Sequence, residues 1–158
     1  VAHPLAWLSC RVFMTAALAE TKRIPFDLPE GEPEIIGYFT EYSGMKFGLF
    51  FLTDFVEVVL VAALTTTLFF GGWHVPYLHP DAFRFPWGLT VPVSHLAYVM
   101  WGLIAFTVKV VAFIWFFMLI RWTLPRFRYD HLLHLGWKVL FPLSLVNIAA
   151  TGVLALLL

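Results

Sequence analysis

A single cysteine, Cys10, stands in a chain of 158 residues. Structural zinc sites and iron–sulfur clusters draw on several thiolates, so this chain alone holds neither, and a disulfide framework is excluded with them. Charge is scarce as well: 13% of residues are charged, against about 25% in a typical soluble domain. Ten acidic and ten basic residues cancel, and the scattered bases form no stripe of the kind nucleic-acid binding requires. No glycine-rich dinucleotide fingerprint is present, so no flavin or nicotinamide is expected on this chain.

Apolar residues are what the chain has in excess, 61% of the total, where soluble domains carry about 45–50%. Three runs, 44–70, 95–120 and 139–158, reach the roughly 20 residues that a helix needs to cross a bilayer. A shorter run, 1–19, opens on Val1 without a basic n-region or signal-peptide layout. It is expected to be the end of a membrane helix that begins in a longer polypeptide. The predicted fold class is all-α, a polytopic transmembrane helix bundle with a long acidic cytoplasmic loop. The spans are joined by loops at 20–43, 71–94 and 121–138, within one membrane domain over 1–158. The 71–94 loop holds four prolines and many aromatics and is expected to lie at the lipid interface, with at most a short amphipathic piece. No histidine lies deep in the three complete spans, so bis-histidine haem is not expected, and no third ligand accompanies His131 and His134 to suggest a metal.

Basic residues set the sides. Lys22, Arg23, Arg121, Arg126, Arg128 and Lys138 belong to loops 20–43 and 121–138, whereas the opposite side has only Arg84. The positive-inside bias places the first pair of loops on the cytoplasmic side.

The acids are not scattered. Six of the ten fall between Glu20 and Glu41, in AETKRIPFDLPEGEPEIIGYFTEYSG. Pro25, Pro29 and Pro33 oppose a regular helix there. Glu30, Glu32 and Glu34 alternate, so in an extended segment they share one face at spacings of roughly 6–7 Å. Like charges that close favour protonation of one another and titrate as a group. A solvated loop is the plain alternative, but Ile24, Phe26, Leu28, Ile35, Ile36, Tyr38 and Phe39 give this one more apolar surface than solvation needs.

Further charges lie within the spans. Asp54 is ten residues past Gly44, about 15 Å along a helix and near the bilayer centre. Glu57 follows on the same helix face. Carboxylates at that depth cost several kcal/mol and point to a proton path; a neutral, hydrogen-bonded interhelical pair is the alternative. Thr65, Thr66 and Thr67 are expected to bond backbone or neighbouring helices. Lys109 precedes Arg121 by about 18 Å of helix, too far to reach the interface. It is expected to pair with Asp54, Glu57 or a carboxylate beyond this chain.

These residues are also familiar as a set. The acidic stretch, followed by LFFLTDF, LTTTLFFGGW and LPRFRYDHLLHLGWKVLFPL, resembles the H-subunit family of proton-pumping NADH:quinone oxidoreductase, respiratory complex I. The resemblance covers essentially the whole chain. It implies the C-terminal part of a membrane subunit at the joint between the redox arm and the membrane arm, in the cell inner membrane or the mitochondrial inner membrane. Quinone is then a substrate, and the other complex I subunits and the lipid bilayer are partners. The positions that match the family are Glu20, Arg23, Asp27, Glu30, Glu32, Glu34, Glu41 and Asp54. A quinone-chamber loop with Arg23, Phe26 and Asp27 is expected, and a proton relay through Glu20, Glu30, Glu32, Glu34, Glu41 and Asp54, to which Glu57 and Lys109 are added by their depth in the spans. Arg126 and Arg128, on the same side, are candidates to clamp the loop, with plain positive-inside anchoring as the alternative. The family often has Glu where Asp54 stands, which leaves open whether Asp54 or Glu57 carries the intramembrane proton. A homologous subunit of an energy-converting hydrogenase or related quinone-linked dehydrogenase is the alternative, and a secondary ion transporter a further one.

Overall fold

The computed structural model describes residues 4–27, 42–79, 82–84 and 90–157. Helix α1 is Pro4–Glu20, α2 is Met45–Phe69 and α3 is His95–Thr123. A last helical stretch joins α4 (Tyr129–His134), a π-helical segment (Leu135–Leu140) and α5 (Phe141–Leu157). Among the described residues, three helices are long and apolar enough to cross a membrane: Met45–Phe69, His95–Thr123 and Tyr129–Leu156. At about 1.5 Å per residue, each exceeds the roughly 30 Å hydrocarbon core. The described fold is all-α apart from one small hairpin.

The helix ends follow from local chemistry. Gly44 precedes α2 with φ +64, a conformation that costs glycine little. At the other end Phe70 and Gly72 both donate their N–H to the Thr66 carbonyl, at 3.2 and 2.9 Å, and Gly71 and Gly72 take positive φ. This is the glycine-terminated stop that satisfies helix-end carbonyls. Helix α3 ends where Pro125 forces Leu124 into extended backbone.

The core lies between α2 and α3. Val58, Val61 and Ala62 pack with Val110 and Phe117, and Met14, Ala17 and Leu18 of α1 close the cluster. Thr65 and Thr66 are fully buried, and their hydroxyls donate to the Val61 and Ala62 carbonyls at 2.7 and 2.8 Å. A hydroxyl bonded into its own helix can face an apolar neighbour without a desolvation penalty. Helix α5 lies on α1, where the Asn147 amide donates to Ser9 Oγ at 2.6 Å.

Two features depart from the sequence reading. Residues Ala82–Arg84 pair antiparallel with Thr90–Pro92 in the register Ala82–Pro92, Phe83–Val91 and Arg84–Thr90, where an irregular loop was expected. Helix also starts at Tyr129, ten residues ahead of the expected span boundary at 139. Asp130 lies in its first turn, next to the positive end of the helix dipole, and Arg128 is the cap residue. The π-helical segment ends at a proline: Phe141 N–H donates to the Gly136 carbonyl, and Pro142 has no N–H to continue either pattern.

Candidate functional site

After Glu20 the chain turns sharply beneath α1. Thr21 N–H donates to Ala17 O and Phe26 N–H to Arg23 O, at 3.0 and 2.7 Å. Pro25 and Phe26 are buried. The segment is held from the far end of α3: Phe127 N–H donates to Pro25 O at 2.9 Å, the Phe26 and Phe127 rings lie 5.8 Å apart, and Arg126 pairs with Asp27 at 3.6 Å. The loops after α1 and α3 are therefore clasped. The ion pair is largely shielded from solvent, so it falls between an exposed pair and a buried one. Arg126→Gln is expected to cost about 1 kcal/mol, read as roughly fivefold faster proteolysis of the 20–43 stretch in native membranes. An unchanged cleavage rate refutes the clasp.

Arg23 crosses from this turn to α2. Its guanidinium donates from Nη2 to the Asp54 backbone carbonyl at 3.1 Å and lies 5.5 Å above the Phe55 ring. Around it opens a cavity of about 210 Å³. Lys22, Arg23 and Arg121 bring positive charge to its wall, Asp27 and Asp54 bring carboxylates, and Phe51 and Phe55 bring flat apolar faces. Such a mixture suits one small planar ring whose oxygens accept hydrogen bonds. The volume is below the roughly 300–1,000 Å³ of sites for drug-sized ligands.

Of the residues expected from sequence, Arg23, Asp27 and Asp54 meet at this cavity, whereas Phe26 is off its lining and packs against Phe127. Glu20 is exposed at the end of α1, and Glu57 is half-buried one turn beyond Asp54, off the cavity wall. Glu30, Glu32, Glu34 and Glu41 lie outside the described residues. Arg128, the other candidate clamp, instead pairs with Asp130 at the surface, at 3.2 Å. Among the described residues no cluster of three His, Cys, Asp or Glu could hold a metal.

Lys109 requires a correction. Its ammonium does not meet Asp54 or Glu57; it donates to the Phe70, Gly72 and His74 carbonyls at 3.0, 2.9 and 2.9 Å, at the opposite end of α2. Three backbone carbonyls, that of the cap residue Phe70 and two from the turn that follows, replace the carboxylate that was expected. Sequence reasoning also misses Lys22, Arg121, Phe51 and Phe55 as cavity residues. The two bases read from sequence only as positive-inside anchors, and nothing in the spacing distinguishes Phe51 and Phe55 from lipid-facing rings.

Comparison with known proteins gives a consistent picture. The sequence profile of the NADH dehydrogenase family matches residues 2–152. The chain is similar to the NADH-quinone oxidoreductase H subunit 1 of Geobacter metallireducens, with 47% identity over 153 residues, covering 96% of this chain and 39% of that protein. The H subunit 2 of Geobacter sulfurreducens is 47% identical over 151 residues, covering 95% of this chain and 38% of that protein. The H subunit of Flavobacterium psychrophilum is 42% identical over 156 residues, covering 98% of this chain and 42% of that protein. The chain thus spans about two fifths of the length of these curated relatives.

Proposed function

Because this chain belongs to the NADH dehydrogenase family, we propose that it acts as part of the H-type membrane subunit of a proton-translocating NADH:quinone oxidoreductase. There it helps form the quinone-binding chamber and passes the effect of quinone reduction to buried carboxylates. The observation that carries this reading is the cavity at which Arg23 ties the acidic loop to α2 beside Asp54. A quinone headgroup is a planar ring with two carbonyl oxygens. Phe51 and Phe55 offer it faces, and Lys22, Arg23 and Arg121 offer it donors.

Reduction of a quinone to a quinol takes two electrons and two protons. The electrons come from partner subunits of the redox arm. The protons taken up at the ring change the charge next to Asp27 and Asp54, two acids that line the cavity. Asp54 stands on a membrane-crossing helix, so a change in its protonation is felt within the bilayer, with Glu57 next along the same face. Glu20, Glu30, Glu32, Glu34 and Glu41 complete the relay in the loop. The 20–43 loop and the turn after α3 face the cytoplasm of a bacterial inner membrane, as the basic bias indicates.

The test is photolabelling with an azido-quinone in membranes that contain the complete subunit and its partners. Label is expected on peptides containing residues 21–27, 51–55 or 121, and excess unlabelled quinone is expected to remove it. Label confined to other parts of the complex overturns the assignment.

A further inference from the structure

Among the described residues of the spans, Lys109 carries a charge that the chemistry above leaves unused. An ammonium has three N–H donors and no acceptor, and here the Phe70, Gly72 and His74 carbonyls, all within 3.0 Å, can take all three. The turn that presents them is specially made. Gly71 and Gly72 adopt φ +70 and +54, and His74 N–H returns to Gly71 O at 2.9 Å. Helix α3 receives the turn closely: a Cβ on Gly102, two turns before Lys109 on the same face, would lie 3.4 Å from Trp73 O. One turn after Lys109, the Phe113 ring meets Phe70 edge-on at 5.0 Å. Contacts at Gly102, Lys109 and Phe113 thus fix where α2 stops along α3.

We propose that Lys109 is a fixed, tethered cation, a positioning residue that fills a carbonyl cage at the C-terminal end of α2 and sets the axial register of α2 against α3, rather than a group that takes up and releases protons. The cage has the chemistry of a small-cation site, with one backbone oxygen at the negative end of a helix and two in the turn that follows it, and the protein supplies the cation from its own chain. Register matters because the same helix presents the Asp54 carbonyl to Arg23 sixteen residues before Phe70. The inference stands on this geometry and does not depend on quinone being the substrate.

The test compares Lys109→Arg, Lys109→Met and Lys109→Ala in the complete subunit, assembled with its partners in native membranes. Three quantities are read: the amount of folded subunit, its Tm, and protons translocated per NADH oxidised. Lys109→Met, which fills the space without charge or donors, is expected to lower folded subunit by about tenfold, as loss of charge-assisted bonds to three backbone carbonyls predicts. Lys109→Arg keeps a permanent charge and its donors but cannot pass on a proton, so it is expected to restore folding and to keep the wild-type proton-to-electron ratio. In Lys109→Ala, n-propylammonium is expected to raise the Tm, and tetramethylammonium, which has no N–H donor, is not. Wild-type folding of Lys109→Met overturns the proposal. So does an Arg variant that folds and transfers electrons but no longer pumps, which would mark Lys109 as a proton carrier. If wild-type membranes show no NADH:quinone activity, the functional reading fails, while folding and Tm still decide the role of Lys109.

Discussion

Replacing Arg23 with Met is expected to reduce NADH:quinone electron transfer by roughly thirtyfold while leaving the three spans folded. The guanidinium makes a charged hydrogen bond to the Asp54 carbonyl and lies over the Phe55 ring. Together these are worth about 2 kcal/mol, the free energy of that thirtyfold change. The loss falls on one local event, docking of the post-α1 turn against α2, because the α2–α3 core of Val58, Val61, Ala62, Val110 and Phe117 is held by its own apolar packing. Lys at this position keeps the charge but lacks the planar fork that stacks on Phe55, so it is expected to recover only part of the rate. The check is electron-transfer rate in membranes normalised to folded subunit. A wild-type rate for Arg23→Met removes the cavity from the mechanism.

The second large effect is expected at Asp54. Asp54→Asn preserves size and hydrogen-bonding capacity but cannot carry a proton. Proton translocation is expected to fall by about a hundredfold, the lower end of the range for a positioned proton-transfer group. Glu57→Gln is expected to do less, because Glu57 lies off the cavity wall whereas Asp54 lines it. The measurement is proton movement in inverted vesicles, with the electron-transfer rate recorded in parallel. Equal pumping by Asp54→Asn and wild type excludes Asp54. A larger defect in Glu57→Gln than in Asp54→Asn moves the relay to the neighbouring acid.

Different parts of this molecule are legible in its sequence to different degrees. Long apolar runs announce membrane-length helices because the bilayer demands them, and α2 and α3 need nothing more. The start of the last helix is hidden, since Tyr129, Asp130, His131 and His134 are too polar for a hydropathy reading, yet they suit a first helical turn outside the lipid. The hairpin is hidden because strands of three residues carry too little alternation to read. At the site, Arg23, Asp27 and Asp54 can be named from the acidic stretch, the depth of Asp54 and the family resemblance. Lys22 and Arg121 cannot be added, because only the packing of α3 against α2 brings residue 121 next to residue 54. The partner of Lys109 is obscured for the same reason. Its depth in α3 is legible, but sequence does not say which end of α2 lies beside it, and the helices are antiparallel and offset so that residue 109 meets residue 70.

The wide turn at Leu135–Leu140 determines more than the shape of the final helix. A π-turn adds in effect one residue to an α-helix, so everything after it is rotated by about 100°. Asn147 comes after that turn, and it is buried with its amide on Ser9. Unwinding those six residues into ordinary helix would swing this amide away from α1 and towards the hydrocarbon. The widened turn thus works as a phase adjuster, choosing which meridian of the last span meets lipid and which meets its neighbour.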